Sequence, residues 1–166
     1  MLIVLKKNVL KKGDVFFMQT KEIQRTITIS KSALLDMIVA QNKNYKYWSG
    51  NLSKADYKAG IVNVGATALG FVFKSTVVGV IYSVITGAVS WASTSYKKLM
   101  VSGTNKGLVF LNDLLDIFQN HSNYKSIEVK MPYVQFTDPS TGKVSTVIHN
   151  KGQILKFNTN TGSVPA

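Results

Sequence analysis

Polar and apolar residues alternate from Glu22 to Ser30 (EIQRTITIS), where Ile23, Thr26 or Ile27, and Ile29 are separated by polar side chains. With its β-branched content, this predicts a half-exposed strand. Over Lys31 to Ala40 the period lengthens. Leu34, Leu35, Ile38 and Val39 recur at i, i+1, i+4 and i+5, which predicts a helix, and residues 42–51 (NKNYKYWSGN) end in Gly50-Asn51 and read as a helix end and turn. Ser53-Lys54-Ala55-Asp56 has the form of a capping box with Asp in the reciprocal position, so a helix is predicted to start there and run into an apolar block. Beyond that block Ser102-Gly103 breaks the pattern. Asn105 to Gln119 then predicts an amphipathic helix, with Leu108, Leu111, Leu115 and Phe118 on one face and Asn112, Asp113 and Asp116 on the other. Alternation returns from Ser126 to Asn158 in IEVKM, YVQFT, KVSTVIH and QILKF, with turn chemistry at residues 138–142 and 150–152. The fold class is therefore α+β: a strand and helix, a central apolar helical region, an amphipathic helix, and an antiparallel sheet of three to four strands. Residues 159–166 read as a flexible tail.

The apolar block, residues 60–95, holds one charged residue, Lys74, in thirty-six. Ser75 to Ser95 is a run of twenty-one uncharged residues, about the twenty needed to cross a hydrocarbon core of roughly 30 Å. Its serines, threonines and glycines make it less apolar than a leucine-rich anchor. Ser75, Gly79, Ser83 and Gly87 recur every four residues, and Ala59, Asn63, Ala66 and Gly70 form a similar line before them. Such spacing lets two helix backbones approach closely, in lipid or within a soluble hairpin. Gly79 and Gly87 are expected to face a packed helix, supplied by the arm from Ile61 to Phe73 or by a second copy of the chain. Val78, Ile81, Tyr82, Ile85 and Val89 cover the other faces, as in a helix that is fully buried or faces lipid. A single span, a membrane hairpin and a soluble core all remain open, with Lys74 at the bend or snorkelling from one end.

Charge sharpens this picture. The chain of 166 residues carries a net charge of +12, with nineteen Lys and one Arg against eight Asp and Glu. Such a chain is drawn to anionic lipids or polymers, and the preference for Lys over Arg favours a surface over a bidentate base or phosphate contact. The absence of cysteine excludes disulfides, thiolate metal sites and cysteine nucleophiles. Residues 1–17 read as translated leader ahead of a start at Met18. Lys12-Gly13-Asp14 can be encoded by a ribosome-binding sequence, and losing Lys6, Lys7, Lys11, Lys12 and Asp14 leaves a net charge of +9. The remaining divisions are 18–52 (strand and helix), 53–98 (apolar glycine-rich helices) and 99–158 (helix plus sheet).

Chemistry is sparse. His121 and His149 each stand at a predicted element end, as surface histidines do, and no metal-ligand spacing is present. No catalytic residue and no cofactor is assigned, and the reading is non-enzymatic. Tyr45, Tyr47 and Trp48 interleave with lysines before the apolar block, and Trp91, Tyr96, Lys97 and Lys98 border its far end, a composition suited to a membrane interface. Over residues 53–98 the lysine excess and the small residues at four-residue spacing (Ala66, Gly70, Ser75, Gly79, Ser83, Gly87) resemble the cationic, unmodified bacteriocins of Gram-positive bacteria. That resemblance implies a membrane-permeabilising toxin, an anionic membrane surface as partner, self-association through the glycine-rich helices, and membrane association or export without a signal peptide. The alternatives are a soluble phage or prophage interaction protein, which leaves the cytoplasm open, a membrane-resident accessory protein, and a non-specific nucleic-acid binder.

Overall fold

The computed structural model describes residues 18–166; the expected leader, residues 1–17, lies outside them. In chain order the elements are β1 (Gln19–Ser30), α1 (Lys31–Trp48), α2 (Lys54–Val62), α3 (Ala66–Phe73), α4 (Val78–Trp91), α5 (Thr94–Asn120), β2 (Tyr124–Thr137), β3 (Val144–Ile148), β4 (Gln153–Thr159) and β5 (Gly162–Pro165). The fold is α+β, as the sequence predicts. β2 is the spine of one antiparallel sheet, paired with β1 along one edge and with β3 and β4, end to end, along the other. The tail expected to be flexible instead forms β5, which pairs with β4.

Two of the predicted strands, IEVKM and YVQFT, are one strand running through Pro132. Proline is tolerated there because β2 changes partner at that point. Lys130 pairs with Gln153 of β4, Tyr133 with Ile148 of β3, and the Pro132 carbonyl accepts from His149 N at 3.0 Å. In an antiparallel strand the N–H and C=O of one residue point the same way, so the N–H that proline lacks would face the gap between β3 and β4, where little is lost.

The strand residues Ile27, Ile29, Ile127, Val129 and Met131 join Leu34, Met37, Phe110, Leu111 and Leu114 in one core. Helix α1 runs two turns beyond the predicted limit. Its buried stripe is Ala33, Leu34, Met37, Ala40, Gln41, Asn44, Tyr47 and Trp48, whereas Leu35 and Val39 are 46% and 47% exposed. The side-chain amides of that stripe are bonded. Gln41 Nε2 donates to the carbonyls of Thr104 (2.9 Å) and Ile148 (3.0 Å), and Tyr57 Oη donates to Asn44 Oδ1 at 2.6 Å. Ser53 caps α2 by accepting from Asp56 N at 3.1 Å, as the capping-box pattern predicts.

Helix α5 does not break at Ser102-Gly103. It continues through both residues because Gly103 and Gly107 lie on its buried side, where absent side chains make room for neighbours. A Cβ on Gly103 would overlap the His149 ring, and one on Gly107 would sit 2.7 Å from Ile148 Cγ2 and 3.1 Å from Gln41 Nε2. His149 is accordingly a core residue, 4% exposed, and not the surface histidine expected from its place at a strand end.

Candidate functional site

The apolar block folds as α2, α3 and α4, with turns at residues 63–65 and 74–77. Lys74 adopts a left-handed conformation (φ 56°) that ends α3, so it does mark a bend. By length and composition the stretch Ala66–Trp91, 26 residues, is apolar enough to cross a membrane, and 39% of its most apolar window is buried in the protein. The interruption at residues 74–77 makes it two helices joined by a bend, a bent α3–α4 hairpin in which each helix rests against β3 and not chiefly against the other.

Orientation within the hairpin settles where the small residues lie. The core side of α4 is Ile81, Val84, Ile85 and Ala88. Gly79 and Ser83 are exposed, Gly79 has no atom within 4 Å of a Cβ built on it, and Ser75 falls in the turn before α4. Gly87 is half-buried, its hypothetical Cβ 3.2 Å from Met18 Cε, and Ala66 is exposed at the start of α3. Within this chain, then, the stripe is not a helix-packing groove. The bulky residues pack better against the sheet, and the small ones are left facing outward.

The sequence gives no hint of what holds the hairpin in place. A helix ends with carbonyls that have no partner within the helix. In α3 Phe71, Val72 and Phe73 are such carbonyls and each accepts from a side chain of the sheet, as does Gly70 O, which also accepts from Lys74 N at 3.1 Å. From Gly70 to Phe73 the donors are Arg25 Nη1 (3.0 Å), Tyr133 Oη (2.6 Å), Thr146 Oγ1 (2.8 Å) and Ser145 Oγ (3.2 Å). Arg25 also lies 5.3 Å from the centre of the Tyr133 ring, and its charge suits a helix C-terminus. Lys74 Nζ adds a bond to Gln135 Oε1 at 3.2 Å. Burial pushes the Tyr133 phenol up to about 12, partly opposed by Arg25, so it remains a donor at neutral pH. Ser145 and Thr146 are successive residues of β3 and point to opposite faces, so the end of α3 lies along the outer edge of that strand.

The residues expected at a membrane interface divide between core and surface. Tyr47 (6% exposed), Trp48 (2%) and Tyr96 (5%) are core residues, Tyr45 and Trp91 are half-buried, and Lys98 is exposed. The correction has a simple cause: residues 42–48 continue α1, so the aromatics extend its buried stripe. Trp48 stacks on Phe136 (5.7 Å between centroids) and meets Tyr96 edge-on (6.1 Å), and Tyr96 meets Trp91 edge-on (5.7 Å). Beside this cluster an open cleft of about 490 Å³ is lined by Tyr47, Trp48, Ser49 and Gly50 from the end of α1, Val89 of α4, and Thr94, Lys97, Lys98, Val101 and Ser102 of α5. Two buried polar atoms in this corner, Trp48 Nε1 and Tyr96 Oη, have no hydrogen-bond partner among the described residues. Leaving such a group unpaired costs about 1–3 kcal/mol. Burial also holds the Tyr96 phenol protonated, with Glu22 adding to the effect.

Side chains able to do chemistry do not come together among the described residues. Ser145 Oγ is bonded to Phe73 O, Asp138 Oδ1 accepts from the Ser140 N–H (2.9 Å) and hydroxyl (2.7 Å), and His149 Nε2 pairs with Leu99 O at 3.2 Å. Asp113 and Asp116 are exposed on α5, and the described residues contain no group of three or more potential metal ligands. Comparison with known protein families, with characterised proteins and with solved structures found no match to this chain.

Proposed function

We propose that this is a cationic, non-enzymatic membrane-active protein of the bacteriocin type, carried in a water-soluble fold, which meets an anionic membrane surface and commits its α3–α4 hairpin to it. The observation that supports this reading is the apolar stretch Ala66–Trp91, which is docked by the buried faces of α3 and α4 and by polar bonds to the end of one short helix. Neither arm crosses a bilayer alone. At about 1.5 Å per residue, α3 spans roughly 12 Å and α4 roughly 21 Å, whereas all 26 residues in one helix span roughly 39 Å. Insertion as one span therefore requires residues 74–77 to become helical and the four carbonyl bonds to open.

The test is flotation and dye release with anionic and zwitterionic vesicles, using the protein and its Tyr133→Phe variant. Removing that hydroxyl leaves Phe71 O without its donor and destabilises the docked hairpin by about 1–3 kcal/mol. On this reading the wild type floats with anionic vesicles and the variant releases dye faster. Flotation without release points to a resident or peripheral protein. Absence of both sinks the proposal and favours a second reading, a soluble interaction protein such as a phage or prophage component. The inward turn of Ile81, Val84 and Ile85, as in any soluble core, supports that alternative.

A further inference from the structure

We infer that the cleft between the end of α1 and the first turns of α5 binds one anionic amphiphile, with its charged head on Lys97 and Lys98 and its apolar body along Trp48, Val89 and Val101. Its ten lining residues include two lysines and no carboxylate. Among the described residues neither ammonium has an ion-pair partner. Ser49, Thr94 and Ser102 add hydroxyls around the lysines. The volume of about 490 Å³ falls within the range of small-molecule sites, and a hydrophobic wall with a few convergent polar groups is the usual form of such a site. An independent sign comes from Trp48, which lines the cleft, is 2% exposed, and keeps its indole N–H without an acceptor.

A membrane phospholipid and a free alkyl phosphate share this chemistry. The inference rests on the membrane reading only for the source of its ligand, so its test uses monomeric ligands without vesicles. Octyl, decyl and dodecyl phosphate, inorganic phosphate, and a neutral alkyl glycoside of matched length are titrated below their micelle concentrations into the full chain. Calorimetry and tryptophan fluorescence report binding. The expected result is one-to-one binding of the alkyl phosphates that tightens with chain length and shifts the tryptophan emission. It weakens roughly tenfold or more in the double variant Lys97→Gln, Lys98→Gln and is unchanged in Lys125→Gln, Lys130→Gln, two exposed lysines outside the cleft. Equal affinity for inorganic phosphate, equal affinity for the neutral glycoside, or equal loss in both double variants overturns the inference. Anionic vesicles in a parallel arm identify the source. Flotation lost in the Lys97→Gln, Lys98→Gln variant supports a lipid as the ligand, flotation kept there supports a free alkyl phosphate, and flotation by a wild type that binds no alkyl phosphate overturns the inference and leaves the membrane reading standing.

Discussion

Along α4, Gly79, Ser83 and Gly87 recur every four residues on the side turned from the core; along α5, Gly103 and Gly107 stand at the same spacing against His149, Ile148 and Gln41. The first set is the more conspicuous in the sequence, yet the second is where backbones and side chains meet closely. A small residue permits close approach but supplies no attraction of its own in water. In α4 the bulky Ile81, Val84 and Ile85 occupy the opposite face and claim the core. In α5 the glycines interrupt a stripe of Met100, Phe110, Leu111 and Leu114, and so lie within the buried face.

Three experiments can break or sharpen this contrast. The largest effect is expected from Gly103→Ala, which forces the His149 ring out of its place. The loss should reach roughly 3 kcal/mol in chemical denaturation, at the upper end of overpacking costs. Gly107→Ala is expected to lose less, because its neighbours are ends of side chains and alanine is the better helix former. Wild-type stability in Gly103→Ala would remove the seam from the comparison.

Between pH 7.5 and 5 acid is expected to act on the seam. Burial lowers the pKa of His149, with Lys106 adding to the effect, while Leu99 O and Glu22 oppose it. The unfolded chain therefore binds the proton more readily than the folded one. Stability contributed by neutral His149 is present above the unfolded pKa of about 6.5 and declines as pH falls below it, by up to about 1.4 kcal/mol per pH unit. Denaturation midpoints measured between pH 7.5 and 5 should fall in the wild type and flatten in His149→Gln; parallel curves would count against the assignment.

The smallest effect belongs to the hairpin. Gly79→Ala should stabilise the protein by about 0.5–1 kcal/mol, since a Cβ there meets nothing and alanine favours the helix. Gly79→Leu should leave the fold intact too. If sedimentation shows that a dimer of the wild type is lost in this variant, the outward stripe serves a second copy of the chain.

The fold class was legible because it rests on local signals, alternation and a serine cap, whereas Lys74 was open between a bend and one end of a span. Which face of a helix points inward was harder. In α1 the predicted stripe of Leu34, Leu35, Ile38 and Val39 is rotated from the observed one because Gln41 and Asn44 are buried, and their partners, Thr104, Ile148 and Tyr57, lie far along the chain. The sequence suggests a membrane interface for Tyr47 and Trp48 for a related reason: the polar residues before them mask the continuing helix. In α4 apolar side chains surround most of the helix, so no pattern marks its inner face. Bonds from Arg25, Tyr133, Ser145 and Thr146 to the end of α3 leave no trace in sequence, because each carbonyl accepts without regard to the residue that carries it.

The position of α3 along the rim of β3 gives the hairpin a second task, as a guard on the sheet. β3 has β2 on one side only, and on the other side the end of α3 occupies the bonding hydroxyls of Ser145 and Thr146. Without α3 that rim would be an open strand edge, the kind that recruits further strands. The docked end of α3 is thus what keeps this rim from being offered to a neighbouring chain.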